Sequence, residues 1–279
     1  MTDNILEVPV RFYQIAQLYG PGMARSGQEG LHEKALTKSI GQVGLVLVHC
    51  WNLGEATGPY PIGTDAHCPG QAADWVPTAH GIIRDYIRPV LDAARQGGMA
   101  VFHLAQNTYA GKYATYRTIK DDPELQGPPG QSAGEVCVRP RSPKEQWQDE
   151  YGPEFPGCVW QTHRDSFNIS ELVRPVGDEP VVVNGWQLNG LCRRMDIDTL
   201  FYAGFMADLC LLNVQGAVRE MANKFKYRCV VLRDCTTAYE YTDTVAGGWM
   251  TKAAIRHVEA DLGYSASAEE FIGAVSKLH

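Results

Sequence analysis

TLFYAGFMADLC, Thr199 to Cys210, reads as a short buried strand, a turn at Gly204, and a helix that opens near Asp208 with a cysteine in its first turn. An apolar run of that length, closed by glycine, is the pattern of a strand covered on both faces. A cysteine at a helix N-terminus feels the positive end of the macrodipole, which favours thiolate over thiol. In a partly open cleft such a sulfur is a nucleophile. In apolar packing the same residue is an inert filler, and the other strand ends have to separate the two readings.

Working outward, VGLVLVH from Val43 is a second continuous apolar run, ending in His49. CWNLGEATGPYPIGTDAHCPG follows as a loop rich in Gly and Pro. A helix opens at Pro77 and Thr78, with Ile82, Ile83, Tyr86, Ile87, Val90, Leu91 and Ala94 along one face. Pro89 should kink it, and Gly97 with Gly98 should end it. MAVFHLA is a strand carrying His103 near its end, and PVVVN is another, ending at Asn184. A short helix runs through Leu188 and Met195. One long helix, DLCLLNVQGAVREMANK, follows the Thr199 strand, and RCVVLRD is a fifth strand, ending at Asp234. KAAIRHVEADLG and AEEFIGAVSKLH close the chain as helices. Short apolar strands alternating with helices imply right-handed βαβ units on one open, mainly parallel sheet. The expected organisation is an N-terminal arm over residues 1–41, bearing the aromatics Phe12, Tyr13 and Tyr19, and one domain over 42–279. Within that domain, 107–157 forms a long irregular insertion, and a short helix is expected at Ile169 to Val173.

Composition narrows the function. With 44% apolar and 20% charged residues, 279 residues are enough for a sizeable core. A net charge of −7 argues against nucleic acid as a partner, because that needs a basic footprint. No apolar run approaches the ~20 residues of a membrane span. MTDNILEVPVRFYQ lacks the charged-then-apolar pattern of a secretory leader. Eight cysteines without CxxC pairs suit free thiols in a reducing compartment, so a cytoplasmic location is expected. His49–Cys50 and His67–Cys68 match no standard zinc spacing, so neither a metal nor a cofactor is implied. A small-molecule substrate is the expected partner.

In open α/β sheets ligands sit beyond the carboxyl ends of the strands. Those ends carry His49, His103, Asn184, the Gly204–Cys210 turn and Asp234. Each has a plain structural role as well. His49 is either a buried histidine bonded to backbone or the base that activates Cys210. His103 is a supporting histidine or a substrate contact. Asn184 can orient a substrate or steady an oxyanion but cannot act as a base. Asp208 fits an N-cap and Asp234 a loop cap. With Asp208 as cap, the N–H groups around Ala207 and Cys210 would be free for an oxyanion. Trp51, Tyr60, Trp75 and Trp186 either line an aromatic-friendly pocket or simply pack.

IDTLFYAGFMADLCL, the following helix and RCVVLRDCTTA together resemble the isochorismatase-like cysteine hydrolases. So do the first strand with its trailing Trp51–Asn52 and the segment IRPVLDAARQGGMAVFHLA; the likeness spans about residues 43–275. The resemblance implies a three-layer α/β/α fold, a homo-oligomer, and hydrolysis of an amide or related C–N bond, with one branch cleaving a vinyl ether. It also implies a catalytic cysteine, an aspartate ending the first strand and a lysine after the third. The cysteine is present as Cys210. His49 stands in place of the aspartate, Asn184 in place of the lysine, and Ala207 in place of the usual threonine. HRDSF, His163 to Phe167, resembles the stretch that follows the lysine. Two functions fit: a hydrolase in which Cys210 attacks, His49 accepts the proton and Asn184 helps hold the oxyanion, or a ligand-binding or assembly protein that keeps the fold without turnover. In either, Trp51, His103, Ala207 and Trp186 are the expected substrate contacts.

Overall fold

β3 (Val43–Val48), the run VGLVLV, is an interior strand of the sheet. The computed structural model describes residues 4–17, 26–64, 72–128, 163 and 165–278. β3 pairs in parallel with β4 (Ala100–Leu104) on one side and β6 (Thr199–Gly204) on the other. β5 (Val181–Val182) continues the parallel set beyond β4, as do β7 (Arg228–Leu232) and β8 (Tyr264–Ala266) beyond β6.

Every residue of β3 and β6 is buried, as strands covered on both faces require. Their side chains alternate between two cores. Leu45, Leu47, Phe201 and Ala203 face one, closed by the helical segment Ala72–Gln96 and by the helix Ala268–Val275. Val46, Val48, Leu200 and Tyr202 face the other, beneath the helices Gly185–Arg194, Val218–Asn223 and Trp249–His257. The architecture is the three-layer α/β/α sandwich around an open sheet.

Several elements differ from the sequence reading. Residues expected as an arm form β1 (Ile5–Gln17) and β2 (Ser26–Ser39), an antiparallel pair that extends the sheet, giving the order β2-β1-β8-β7-β6-β3-β4-β5. Leu6, Val8 and Val10 are buried, whereas Ile5, Glu7 and Pro9 are exposed. That period of two was present in the sequence, but Pro9 interrupts it and argues against a central strand. The helix expected from Pro77 begins by Ala72. It passes through a π turn at Ile83–Ile87 before Arg88–Gln96, with Pro89 in that last piece's first turn. Proline lacks an N–H and its ring crowds the preceding turn, and the wider π turn takes up both.

The long helix expected after β6 is two short ones, Cys210–Asn213 and Val218–Asn223. Gly216, at φ 89°, breaks it; its carbonyl accepts from the Tyr202 hydroxyl at 3.0 Å and its N–H donates to Glu220 at 2.8 Å. The segment 107–128 holds helices Asn107–Ala110 and Ala114–Asp121, and the remainder of the expected insertion lies outside the described residues. Ile169 to Val173 shortens to a 3-10 turn at Glu171–Val173. No helix among the described residues is long and apolar enough to cross a membrane.

Candidate active site

The register of the three central strands sets the level of the site. Val48 lies opposite both Leu104 and Gly204, so the chain leaves β3, β4 and β6 at one height. His49 is the first residue beyond β3, and its N–H donates to the Leu104 carbonyl at 3.0 Å. Its φ of 47° is left-handed, a backbone conformation that costs a residue with a Cβ roughly 1–2 kcal/mol. The ring is buried, stands 5.1 Å from the Trp51 ring, and leaves Nδ1 without a hydrogen-bond partner. Burial alone pushes the imidazole down to about 4, so His49 is neutral at physiological pH.

Polar bonds to a distant segment hold the loop behind His49 in place. The Asn52 side chain donates to the Ser166 carbonyl and accepts from the Asn168 N–H, both at 2.9 Å. Glu55 accepts from the Ser170 hydroxyl and from the Glu171 N–H. Trp51 packs inward against Trp75 with ring centres 6.1 Å apart, so it backs His49 as part of the core.

The cysteine turn begins at Gly204, where φ is 120° and a Cβ would fall 1.9 Å from the Val48 carbonyl oxygen. Only glycine fits that approach. The Phe205 N–H then donates to the same Val48 carbonyl at 2.9 Å, which ties the turn directly to the strand bearing His49. Cys210 opens the short helix that follows. Among the described cysteines it alone is not buried; Cys50, Cys192, Cys229 and Cys235 all are.

The electrostatics differ from the sequence reading. A four-residue helix carries little macrodipole, and burial pushes the Cys210 thiol up to about 11. A hydrogen bond from the Met206 backbone works in the opposite direction, while the Asp208 charge adds to the rise. Asp208 is not the helix cap: Leu209 holds that position and no side chain caps it. The Asp208 carboxyl is instead half-buried, with Oδ1 unpartnered and its pKa raised by burial. Ala207 is also reassigned, because its N–H donates to the Thr237 carbonyl at 3.0 Å and is not free for a substrate. The N–H groups of Met206 and Cys210 donate to no backbone carbonyl of the described residues.

The remaining sequence candidates serve the scaffold. His103 is buried, and its Nε2 lies 2.9 Å from Glu179, which Arg95 grips with two nitrogens at 2.7 and 2.8 Å. Burial works to raise the Glu179 carboxyl, but hydrogen bonds from Arg95 and His103 override it and hold it at about 2. Asn184 caps the helix Gly185–Arg194 through its side-chain oxygen, which accepts from the Gln187 N–H at 3.0 Å. Trp186 stacks edge-on against Phe225 at 5.1 Å with the Lys224 ammonium 4.5 Å from its ring centre, which places it in the helical layer. Asp234 accepts from the Ala268 N–H at 3.0 Å, the loop-capping role expected of it.

Sequence reasoning passed over two polar atoms at this edge. Gln106, just after β4, buries its side-chain oxygen without a partner, and Tyr109 buries its hydroxyl against the Gln106 backbone N–H. Both sit in the irregular run AQNTYAGKY, which has no periodicity to mark which way a side chain turns. Among the described residues no group of three or more His, Cys, Asp or Glu side chains could hold a metal ion; His67 and Cys68 lie outside them.

A mainly parallel sheet between two helical layers, with a partly exposed cysteine on the turn after β6, defines an α/β protein of the three-layer class. The isochorismatase domain model matches residues 72–260, and the chain belongs to that hydrolase family. No curated protein sequence matches. Among solved structures, the chain is similar to a cysteine hydrolase from Pseudomonas syringae pv. phaseolicola 1448A: 14% identity, 86% of this chain and 95% of that one, TM-score 0.51. It is also similar to an isochorismatase family protein from Burkholderia thailandensis, at 15% identity over 85% and 96% of the two chains, TM-score 0.47. A third is N-carbamoylsarcosine amidase from Thermoplasma acidophilum, at 17% identity over 82% and 97%, TM-score 0.44.

Proposed function

We propose that the protein hydrolyses an amide or related C–N bond of a small molecule through Cys210, with His49 as proton acceptor in place of the family's aspartate. The observation that carries this reading is the isolation of Cys210: it alone among the described cysteines is not buried, and it stands on the turn that Gly204 and Phe205 tie to the His49 strand. In this reading, a thiol at about 11 and an imidazole at about 4 do not rest as an ion pair. Proton transfer therefore accompanies attack. The sulfur bonds the carbonyl carbon, the C=O pair moves to oxygen, and the thiol proton passes to His49. The Cys210 N–H is the donor available to that oxygen, since the Met206 N–H already donates to the sulfur. Collapse expels the amine, which takes the proton back from His49, and water then cleaves the thioester. Asn184, engaged as a helix cap, has no part in this scheme.

The second reading, ligand binding without turnover, draws on the same high thiol pKa and on Asn184 standing at the family's lysine position. An acid-quenched reaction separates the two. A panel of small primary amides is incubated with the protein, stopped in acid, and mapped by mass spectrometry for an acyl group on Cys210. A thioester at that residue, with turnover abolished in Cys210→Ala, is the expected result. Binding of an amide without adduct or product would leave only the second reading.

A further inference from the structure

A cleft of about 630 Å³ opens between the N-terminal hairpin and the helix Trp249–His257, beyond the carboxyl end of β7. Neither His49 nor Cys210 lines it. The volume is that of a small-ligand site. Its walls carry four cations, Arg11, Arg233, Lys252 and Arg256, against two carboxylates, Asp234 and Glu259. In a chain of net charge −7, that local balance runs against the background and draws anions.

Both carboxylates are already engaged. Asp234 accepts from the Ala268 N–H at 3.0 Å, and the buried Glu259 accepts from the Ser265 hydroxyl at 2.7 Å. The cations are less fully matched. Arg11 pairs with Glu33 at 2.7 Å on the exposed hairpin, a bond that water screens. Arg256 lies over the Tyr13 ring, 4.1 Å from its centre, with Glu259 at 3.4 Å. Arg233 gives Nη2 to Glu270 at 2.9 Å and leaves Nη1 buried without an acceptor. Lys252 meets no carboxylate among the described residues, and its ammonium stands 5.1 Å from the Trp249 ring centre. Trp249 is itself 62% exposed. A Cβ on Gly247 would fall 2.3 Å from the indole nitrogen, so the ring rests on the chain there. A wet indole held in place beside an unpaired ammonium is a platform for a flat ring that carries negative charge.

We infer that this cleft binds a small planar aromatic anion, its ring on Trp249 and its carboxylate or phosphate on Lys252 and the arginines. Guanidinium groups meet either oxyanion with paired N–H donors. The site stands independently of any chemistry at Cys210. Cinnamate and phenyl phosphate are the probes, with cinnamyl alcohol as the uncharged ring and cyclohexanecarboxylate as the anion without a flat ring. Calorimetric titration of the full chain at low ionic strength should show saturable binding of at least one aromatic anion, the tighter of the two naming the acid group. Both controls are expected to bind at least roughly tenfold more weakly. Trp249→Ala should weaken the aromatic anion roughly tenfold. Lys252→Gln should weaken it roughly threefold and make its salt dependence shallower. Both side chains are exposed, so neither change should disturb folding. No saturable binding of either anion overturns the inference, as does equal affinity for either control. Wild-type affinity in either variant also overturns it, because the probe would then sit elsewhere on the molecule.

Discussion

His49 and Cys210 are each set by what surrounds them more than by what they are. Burial holds the imidazole neutral down to about 4 and the thiol protonated up to about 11, so in the proposed reaction the proton leaves the sulfur only as the substrate accepts its electrons. For His49 the linkage has a definite sign. The folded value lies below the ordinary 6.5, so the unfolded chain binds a proton first, and stability falls as pH drops from about 6.5 to about 4. Full development of that shift amounts to roughly 3 kcal/mol. His49→Gln should therefore flatten urea-measured stability across that interval, while wild-type kcat/KM on any amide substrate falls as pH drops through about 4. A variant that keeps the wild-type slope would assign the acid sensitivity elsewhere, His103 being the other buried histidine whose burial lowers its pKa. The positions of both residues were legible in the sequence because each ends or follows a continuous apolar strand. Their protonation was not, since burial depends on the folded loop: the Trp51 ring lies against His49, and Asn52 and Glu55 bond to residues more than a hundred positions away. Tyr109 was illegible for a related reason, as its ring turns inward from a stretch without period.

At the scale of elements, the parallel strands were readable and the pieces joining them were not. β3 and β6 are buried on every residue, so their sequences carry no ambiguity of face. β8 has three residues, too few to show alternation, and Pro9 obscured β1. The two-part helix after β6 was misread because Gly216 within an otherwise helical pattern reads as a tolerated interior glycine. The turn before it is stricter. Gly204→Ala would place a methyl 1.9 Å from the Val48 carbonyl oxygen, in a backbone region closed to L side chains. The strands bearing His49 and Cys210 would have to separate. A loss of about 3 kcal/mol or more in urea denaturation is expected, together with loss of thioester formation at Cys210. Gly63, also at positive φ but with nothing within 4 Å of its Cβ direction, provides the comparison: its alanine variant isolates the dihedral cost from the clash.

For the molecule as a whole, the N-terminal hairpin decides where the fold ends. β1 lies against β8, and its inward residues Leu6, Val8 and Val10 belong to the same core as Leu45, Phe201 and Phe271. The family match begins at residue 72, so the hairpin and β3 lie outside the matched span although they share this core. If the hairpin is an integral layer edge, core substitutions in it should act like core substitutions anywhere. Leu6→Ala, at a site 1% exposed, is expected to cost about 2–5 kcal/mol, whereas Ile5→Ala, one residue away and 50% exposed on the other face, should cost little. Urea unfolding followed by tryptophan fluorescence reads both, because Trp51 and Trp75 report from the same core and not from the hairpin itself. One transition, shifted to lower urea by Leu6→Ala alone, is the outcome an eight-stranded sheet requires. An unshifted tryptophan transition would mean that β1 and β2 melt independently and that the sheet supporting Cys210 and His49 is complete without them.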